Sequence, residues 1–245
     1  MKSVTAWLLC AFAGAAVGAD IRVLSAGAVE PGLRAAAAAY AKQSGNEVKI
    51  TFNTAPEIRK RMQAGDAFDV VIAPPAALDE FAGSGKIAAD RVALGRVGLG
   101  VAVRPGAEAP DISSTEALKR SVLAADSIVF NRASTGIYLE NLFKKLGLYE
   151  QILPKTTRYP DAGAVMEHVL KGKGREIGFG PVTEILLQRD KGLKLVGPLP
   201  ADIQNYTSYS AAPMSSAANA ELARAFVRYL GGPESKALFA AAGVD

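Results

Sequence analysis

The chain has 245 residues, with 49% hydrophobic and 21% charged residues, a formal net charge of +4, and one cysteine, one histidine and one tryptophan. A lone histidine and a lone cysteine exclude a zinc centre of the usual kind and a disulfide framework. A Ser-His-Asp triad would have to use His168, which sits in a helical pattern beside Met166, Val169 and Leu170 with no G-x-S-x-G turn in the chain, so a structural role is expected for it.

The basic residues are scattered apart from Lys171, Lys173 and Arg175, which read as a solvated turn, so no nucleic acid is expected as a partner. The N-terminus has the form of a secretory signal. Lys2 supplies the positive start, Ala6 to Val17 an apolar stretch too short to span a bilayer permanently, and Val17-Gly18-Ala19 a small-x-small cleavage site. Residues 1–19 are therefore expected to be removed, taking Trp7 and Cys10 with them and leaving a periplasmic protein that starts at Asp20. Leu9, which is not small, argues against lipid attachment at Cys10. No later apolar run is long enough for a transmembrane helix.

Beyond the signal, short apolar strands alternate with amphipathic helices, the mark of an α/β fold. Ile21 to Ser25 reads as a strand, and Leu33, Ala37 and Tyr40 mark a helix closed by Gly45. Val48, Ile50 and Phe52 alternate as a strand, a helix from about Pro56 ends at Gly65, and Val70 to Ala73 is continuously apolar, as in a parallel sheet covered on both faces. A long strand covers Val97 to Val103. Ser113 and Glu116 predict a capping-box helix start, Ser127 to Phe130 a strand, and Leu139, Leu142, Phe143 and Leu146 a helix stopped by Gly147.

A helix over about Asp161 to Lys171, a strand at Glu176 to Phe179, a helix from Pro181 to Gln188 and a strand at Leu193 to Val196 follow. Tyr206 to Ala212 is extended, and two tail helices are separated by Gly232-Pro233. Two such series suggest two lobes. The expected division is lobe I over 20–101, lobe II over 102–208 and a return to lobe I over 209–245, with crossovers near Val97–Val103 and Tyr206–Ala212.

The segment richest in chemistry is Ser127 to Tyr138. A strand runs into Asn131-Arg132-Ala133, and a helix begins inside Ser134-Thr135-Gly136. Such a turn aims free backbone N–H groups and the positive end of a helix dipole at one spot, and Arg132 adds a permanent charge. A pocket for a small anion is expected there, with Arg132 as its clamp and Ser134 and Thr135 as donors.

Several strings, in order and spacing, resemble the periplasmic molybdate-binding proteins of ABC transporters across nearly the whole mature chain. They include Arg61-Met-Gln-Ala-Gly-Asp66 with the strand after it, Thr135-Gly-Ile-Tyr138 through Lys145-Leu-Gly147, Pro154-Lys155, Ile177-Gly178, and Tyr229-Leu with Gly232-Pro233. The resemblance implies a two-lobed Venus-flytrap fold with a mixed sheet in each lobe, ligand between the lobes, and delivery to an inner-membrane permease with its ATPase. It carries over as candidate ligand-binding positions Gly27, Ala28, Thr54, Ala55, Thr135, Ala162, Gly163 and Pro181. Ala28 stands where the family has a serine, Thr54-Ala55-Pro56 where it has a serine run, and Pro181 where it has a tyrosine.

A buried oxyanion that loses these donors loses much of the compensation for its dehydration. Arg132 can pair bidentately with a carboxylate, so a small organic anion is expected in place of molybdate. A molybdate or tungstate receptor and a transporter-independent sensor are the alternatives. No cofactor, metal or catalytic residue is expected, and the protein is expected to be a monomer.

Overall fold

The computed structural model describes residues 19–245; the expected export signal, apart from Ala19, lies outside the described residues. The first unit is β1 (Asp20–Ala26), α1 (Glu30–Ser44), β2 (Glu47–Asn53), α2 (Ala55–Ala64), β3 (Val70–Ala73) and α3 (Pro75–Gly83). A twelve-residue strand, β4 (Val92–Val103), leads out of it.

The second unit is α4 (Thr115–Ala124), β5 (Ser127–Asn131), α5 (Ser134–Lys145), α6 (Tyr149–Ile152), β6 (Thr156–Tyr159), α7 (Ala162–Lys171), β7 (Glu176–Pro181), α8 (Val182–Leu186) and β8 (Lys194–Pro198). The chain returns through β9 (Tyr206–Pro213) to α9 (Ala220–Leu230) and α10 (Pro233–Ala241).

The strands form one curled mixed sheet in the order β2-β1-β3-β9-β4-β7-β5-β6, with β8 also on β4. In its first half β1 runs parallel to β2 and β3, and β9 is antiparallel to β3 and β4. In its second half β5 runs parallel to β6 and β7, and β4 is antiparallel to β7 and β8. The fold is the expected α/β class with mixed pairing in both lobes.

β4 belongs to both halves. It pairs with β9 through Gly98 and with β7 from Leu99 onward, three residues before the expected 101/102 boundary. β9 pairs within the first half from Tyr206, also ahead of the expected position. Gln204 marks the switch. Its side-chain amide accepts from the Leu99 N–H at 2.9 Å and donates to the Leu99 carbonyl at 3.0 Å, pinning the returning chain where β4 changes partners.

Each half has its own core. In the first, Tyr40 lies 5.0 Å from the Phe226 ring, which ties α1 to α9, and Phe239 of α10 packs in the same cluster. In the second, Ile128 and Phe130 of β5 join Leu139, Phe143 and Phe179 on one face of the sheet. Val129 joins Val165, Met166, Val169 and Ile185 on the other. Strand alternation sends neighbouring β5 side chains to opposite layers, so α5 and α7 sandwich the sheet.

Asp69 holds the return to the first lobe. Its buried carboxylate accepts from the Arg22 N–H at 2.8 Å and from the Ala218 N–H at 2.9 Å. Asp69→Ala leaves both donors without an acceptor and is expected to cost about 2 kcal/mol in urea unfolding.

Some elements differ from the sequence expectation. The cap of α4 is Ser114, whose hydroxyl oxygen accepts from the Ala117 N–H, whereas the expected Ser113 donates its hydroxyl to Asp111. α3, α6 and β6 had no sequence counterpart. β6 is Thr-Thr-Arg-Tyr, half-buried throughout at a sheet edge, and so lacks apolar alternation. The helix expected over Pro181 to Gln188 is the shorter α8. Among the described residues no helix is long and apolar enough to cross a membrane.

Candidate functional site

A cleft of about 520 Å³ opens between the lobes. Its floor on the first lobe is the strand-to-helix turn after β1, where Ala26, Gly27 and Ala28 lead through a short 3-10 turn into α1. Beside it, β2 ends at Asn53 and α2 starts behind Thr54, whose side chain caps nothing. Facing these from the second lobe are the starts of α5 and α7 and the β7–α8 junction at Pro181.

The backbone N–H groups of Ser134 and Thr135 open α5, and those of Ala162 and Gly163 open α7. As first-turn groups they have no partner inside their helices. Asn131 builds the α5 end. Its side-chain oxygen accepts from the Ala133 N–H at 3.1 Å and the Gly136 N–H at 2.9 Å, curling the loop and leaving the two amides between them free. Asp161 builds the α7 end by capping the Ala164 N–H at 2.8 Å. On the first lobe, the side-chain oxygen of Asn53 is buried without a hydrogen-bond partner among the described residues.

Nine of the ten positions singled out from the sequence line this cleft: Gly27, Ala28, Thr54, Ala55, Ser134, Thr135, Ala162, Gly163 and Pro181. Arg132 does not. Its side chain is exposed, and its N–H donates to the Tyr159 carbonyl at 2.7 Å, continuing the β5–β6 ladder. Asn131 occupies the cleft side of that strand end, and alternation sends the next residue the other way. No lysine, arginine or histidine lines the cleft among the described residues. Phe179, the end of the strand expected from Glu176, is fully buried in the second-lobe core. His168 bonds the Tyr159 hydroxyl through Nδ1 at 2.9 Å, as suits a structural role.

Four carboxylates reach the lining. Glu30 pairs with Arg34 at 2.8 Å, Glu57 with Lys60 at 3.5 Å, and Asp161 is committed to its helix. Glu184 has no hydrogen bond or ion pair among the described residues. Desolvation, with the charges of Asp161 and Glu30 nearby, pushes its carboxyl up to about 8. Tyr209, on β9 at the cleft floor, is pushed far above the usual phenol range by burial and by Glu184.

Asn53, Asn131, Asp161, Glu184 and Tyr209 are cleft residues that sequence reasoning did not select. Asn131 and Asp161 carried a readable signal, a short polar side chain just before a helix. Glu184 carried none, because its place in the cleft depends on how α8 docks on the other lobe. Among the described residues no cluster of three potential metal ligands occurs.

Residues 21–245 match the family model of the bacterial extracellular solute-binding proteins. A protein of Pseudomonas sp. named aconitate isomerase is 34% identical over 221 residues, covering 86% of this chain and 81% of its own. Among solved structures, the periplasmic molybdate-binding protein of Azotobacter vinelandii superposes with a TM-score of 0.76 at 19% identity, over 92% of this chain and 98% of that one. L-phospholactate-bound PEB3, a protein of Campylobacter jejuni, gives 0.70 at 16%, over 91% and 98%. With the lobed α/β fold and the cleft between its halves, these matches make the chain a member of the bacterial extracellular solute-binding protein family.

Proposed function

We propose that this protein is an exported, periplasmic receptor for a small organic polycarboxylate, which it holds between its lobes for an inner-membrane ABC permease and ATPase. The observation that carries this reading is the convergence of helix starts on a cleft of about 520 Å³ with no basic side chain in its lining among the described residues. That volume lies within the range of sites for organic ligands, well above the need of one tetrahedral oxyanion. Free first-turn amides of α5 and α7 bind negative charge without a counter-ion.

Ligand contacts are assigned to Ser134, Thr135, Ala162 and Gly163 from the second lobe, and to Gly27, Ala28, Thr54 and Ala55 from the first, with Pro181 shaping the wall. Arg132, exposed and outside the lining, is left out of the contact set. The relative named for aconitate, a tricarboxylate, supports the ligand class.

The test is thermal unfolding of ligand-stripped protein with aconitate isomers, citrate and smaller carboxylates in one series and molybdate, tungstate and sulfate in another. A ligand at a hundred times its Kd adds about 2.7 kcal/mol of stability. Stabilisation by carboxylates alone is expected. Stabilisation by molybdate and tungstate alone would overturn the assignment and make this a metal-oxyanion receptor.

A second reading, catalysis on the bound carboxylate, is favoured by the relative's name, an isomerase. Following the conversion of trans- to cis-aconitate by the purified protein separates the two.

A further inference from the structure

We propose that Glu184 is the general base of the cleft, moving a proton between two carbons of an unsaturated polycarboxylate held at the starts of α5 and α7. The proposal rests on the polycarboxylate reading above and adds a reaction and a residue to it. Of the acids in the lining, Glu30, Glu57 and Asp161 are each engaged by a neighbour, and Tyr209 is held as a neutral phenol. Among the described residues Glu184 is the lining acid whose carboxyl has no partner.

Its position is fixed by its neighbour in sequence. The buried Thr183 hydroxyl donates to the Ala28 carbonyl at 2.6 Å, locking α8 of the second lobe onto the first. The Glu184 carboxyl then lies over Gly27, where a Cβ would stand 3.6 Å from Oε1. It is thus held at the lobe junction, on one side of the cleft, with the amides of α5 and α7 on the second-lobe wall.

The electrostatics suit a base. Tyr209 on β9 is a neutral phenol that feels Glu184 in turn, and the charged groups that act on Glu184 are Asp161 at the start of α7 and Glu30 at the start of α1, both of them acids. With desolvation they bring the carboxyl to about 8, close to the working range of a group that must both take and return a proton.

The step is a shift of the double bond by one position. The Glu184 carboxylate takes a proton from the methylene carbon next to the C=C. The electron pair spreads over the three-carbon unit and into its carboxylates, where the helix-start amides stabilise it. The protonated Glu184 then delivers a proton to the far carbon of the former double bond. One C–H bond breaks and one forms, the formula is unchanged, and no oxidant, reductant or cofactor is needed. For aconitate, the product carries its double bond on the other arm, where it can have the opposite geometry.

The experiment follows trans-aconitate with the full mature protein in D2O by NMR, beside calorimetric binding of the same compound. Wild type is expected to form cis-aconitate with solvent deuterium in the new methylene. Its kcat should rise about tenfold from pH 7 to pH 9, because only the deprotonated form of a group titrating near 8 is active. Glu184→Gln is expected to bind trans-aconitate with a similar Kd and to lose about 100-fold or more in kcat.

Binding by wild type without conversion or deuterium exchange overturns the role of Glu184 and leaves the receptor intact. So does turnover by Glu184→Gln at the wild-type rate. Should that variant not fold, a kcat that stays flat from pH 7 to pH 9 overturns the proposal on wild type alone. No binding of any polycarboxylate overturns the ligand class and the base together, and the calorimetry identifies that case.

Discussion

Gly136→Ala is expected to destabilise the protein by about 3 kcal/mol or more and to abolish ligand binding in whatever fraction still folds. Gly136 lies in the first turn of α5, and its N–H donates to the Asn131 side chain at 2.9 Å. A Cβ there would stand 1.7 Å from the Asn131 carbonyl oxygen and 2.6 Å from its carbonyl carbon. Neither is a flexible group. The Asn131 carbonyl ends β5, so relief means pulling the helix start away from the strand end.

That movement breaks the Asn131 bonds to Ala133 and Gly136 and misdirects the amides of Ser134 and Thr135. Stability and affinity therefore fall together. Urea unfolding and calorimetry on the same preparation check this. Ile137→Ala, at the exposed next position, is the matched control and should change stability by less than about 0.5 kcal/mol. A Gly136→Ala protein as stable as wild type would refute the close approach of α5 to the end of β5.

Phe143→Ala is expected to cost about 3–5 kcal/mol while leaving the affinity of the folded protein unchanged. The ring is fully buried, 5.9 Å from Phe130 of β5 and 5.6 Å from Phe179 of β7. Truncating it opens a cavity between α5 and the sheet that rigid strand neighbours fill poorly. For a chain of this length the loss corresponds to a drop of roughly 10 °C in Tm. Position 143 is seven residues, about 10 Å, along α5 from Gly136, so the helix start keeps its contacts. The two variants on one helix thus separate scaffold from site. A Phe143→Ala protein with unchanged Tm would mean that the second-lobe core is not built around α5.

The agreement between sequence and structure follows the range of the interactions involved. β3 was legible because Val70 to Ala73 is buried on both faces and therefore apolar without interruption. α1 and α2 were legible at their ends because Gly45 and Gly65 adopt the left-handed conformation that closes a helix. α9 was legible because Leu222, Ala225, Phe226, Tyr229 and Leu230 recur at helical spacing; of these Phe226 and Leu230 are fully buried, and the structure adds Ala223 and Val227 to the buried stripe. α6 spans only four residues, too few for a period to register. The family likeness likewise rests on local strings at the turns that build the cleft, which is why nine candidate positions meet there.

Arg132 shows where that reach ends. A permanent charge beside a helix start invited a clamp, but strand alternation decides which way a side chain leaves the sheet, and here it favours Asn131 for the cleft. Glu184 is the converse. Nothing local distinguishes it from a surface acid, and its raised titration arises from desolvation first and then from the charges of Asp161 and Glu30, which are distant in sequence.

By itself the sequence determined the α/β class, the helix and strand ends carried by glycines and buried faces, and the turns whose free amides can receive an anion, because each depends on residues within a few positions of one another. The tertiary structure alone decided that Asn131 builds the α5 start, that Glu184 stands over Gly27, and that among the described residues the cleft is lined without a cation and the Glu184 carboxyl has no partner. Those outcomes depend on the direction of a strand end and on one lobe docking against the other, through contacts such as Thr183 with Ala28 that lie 155 residues apart.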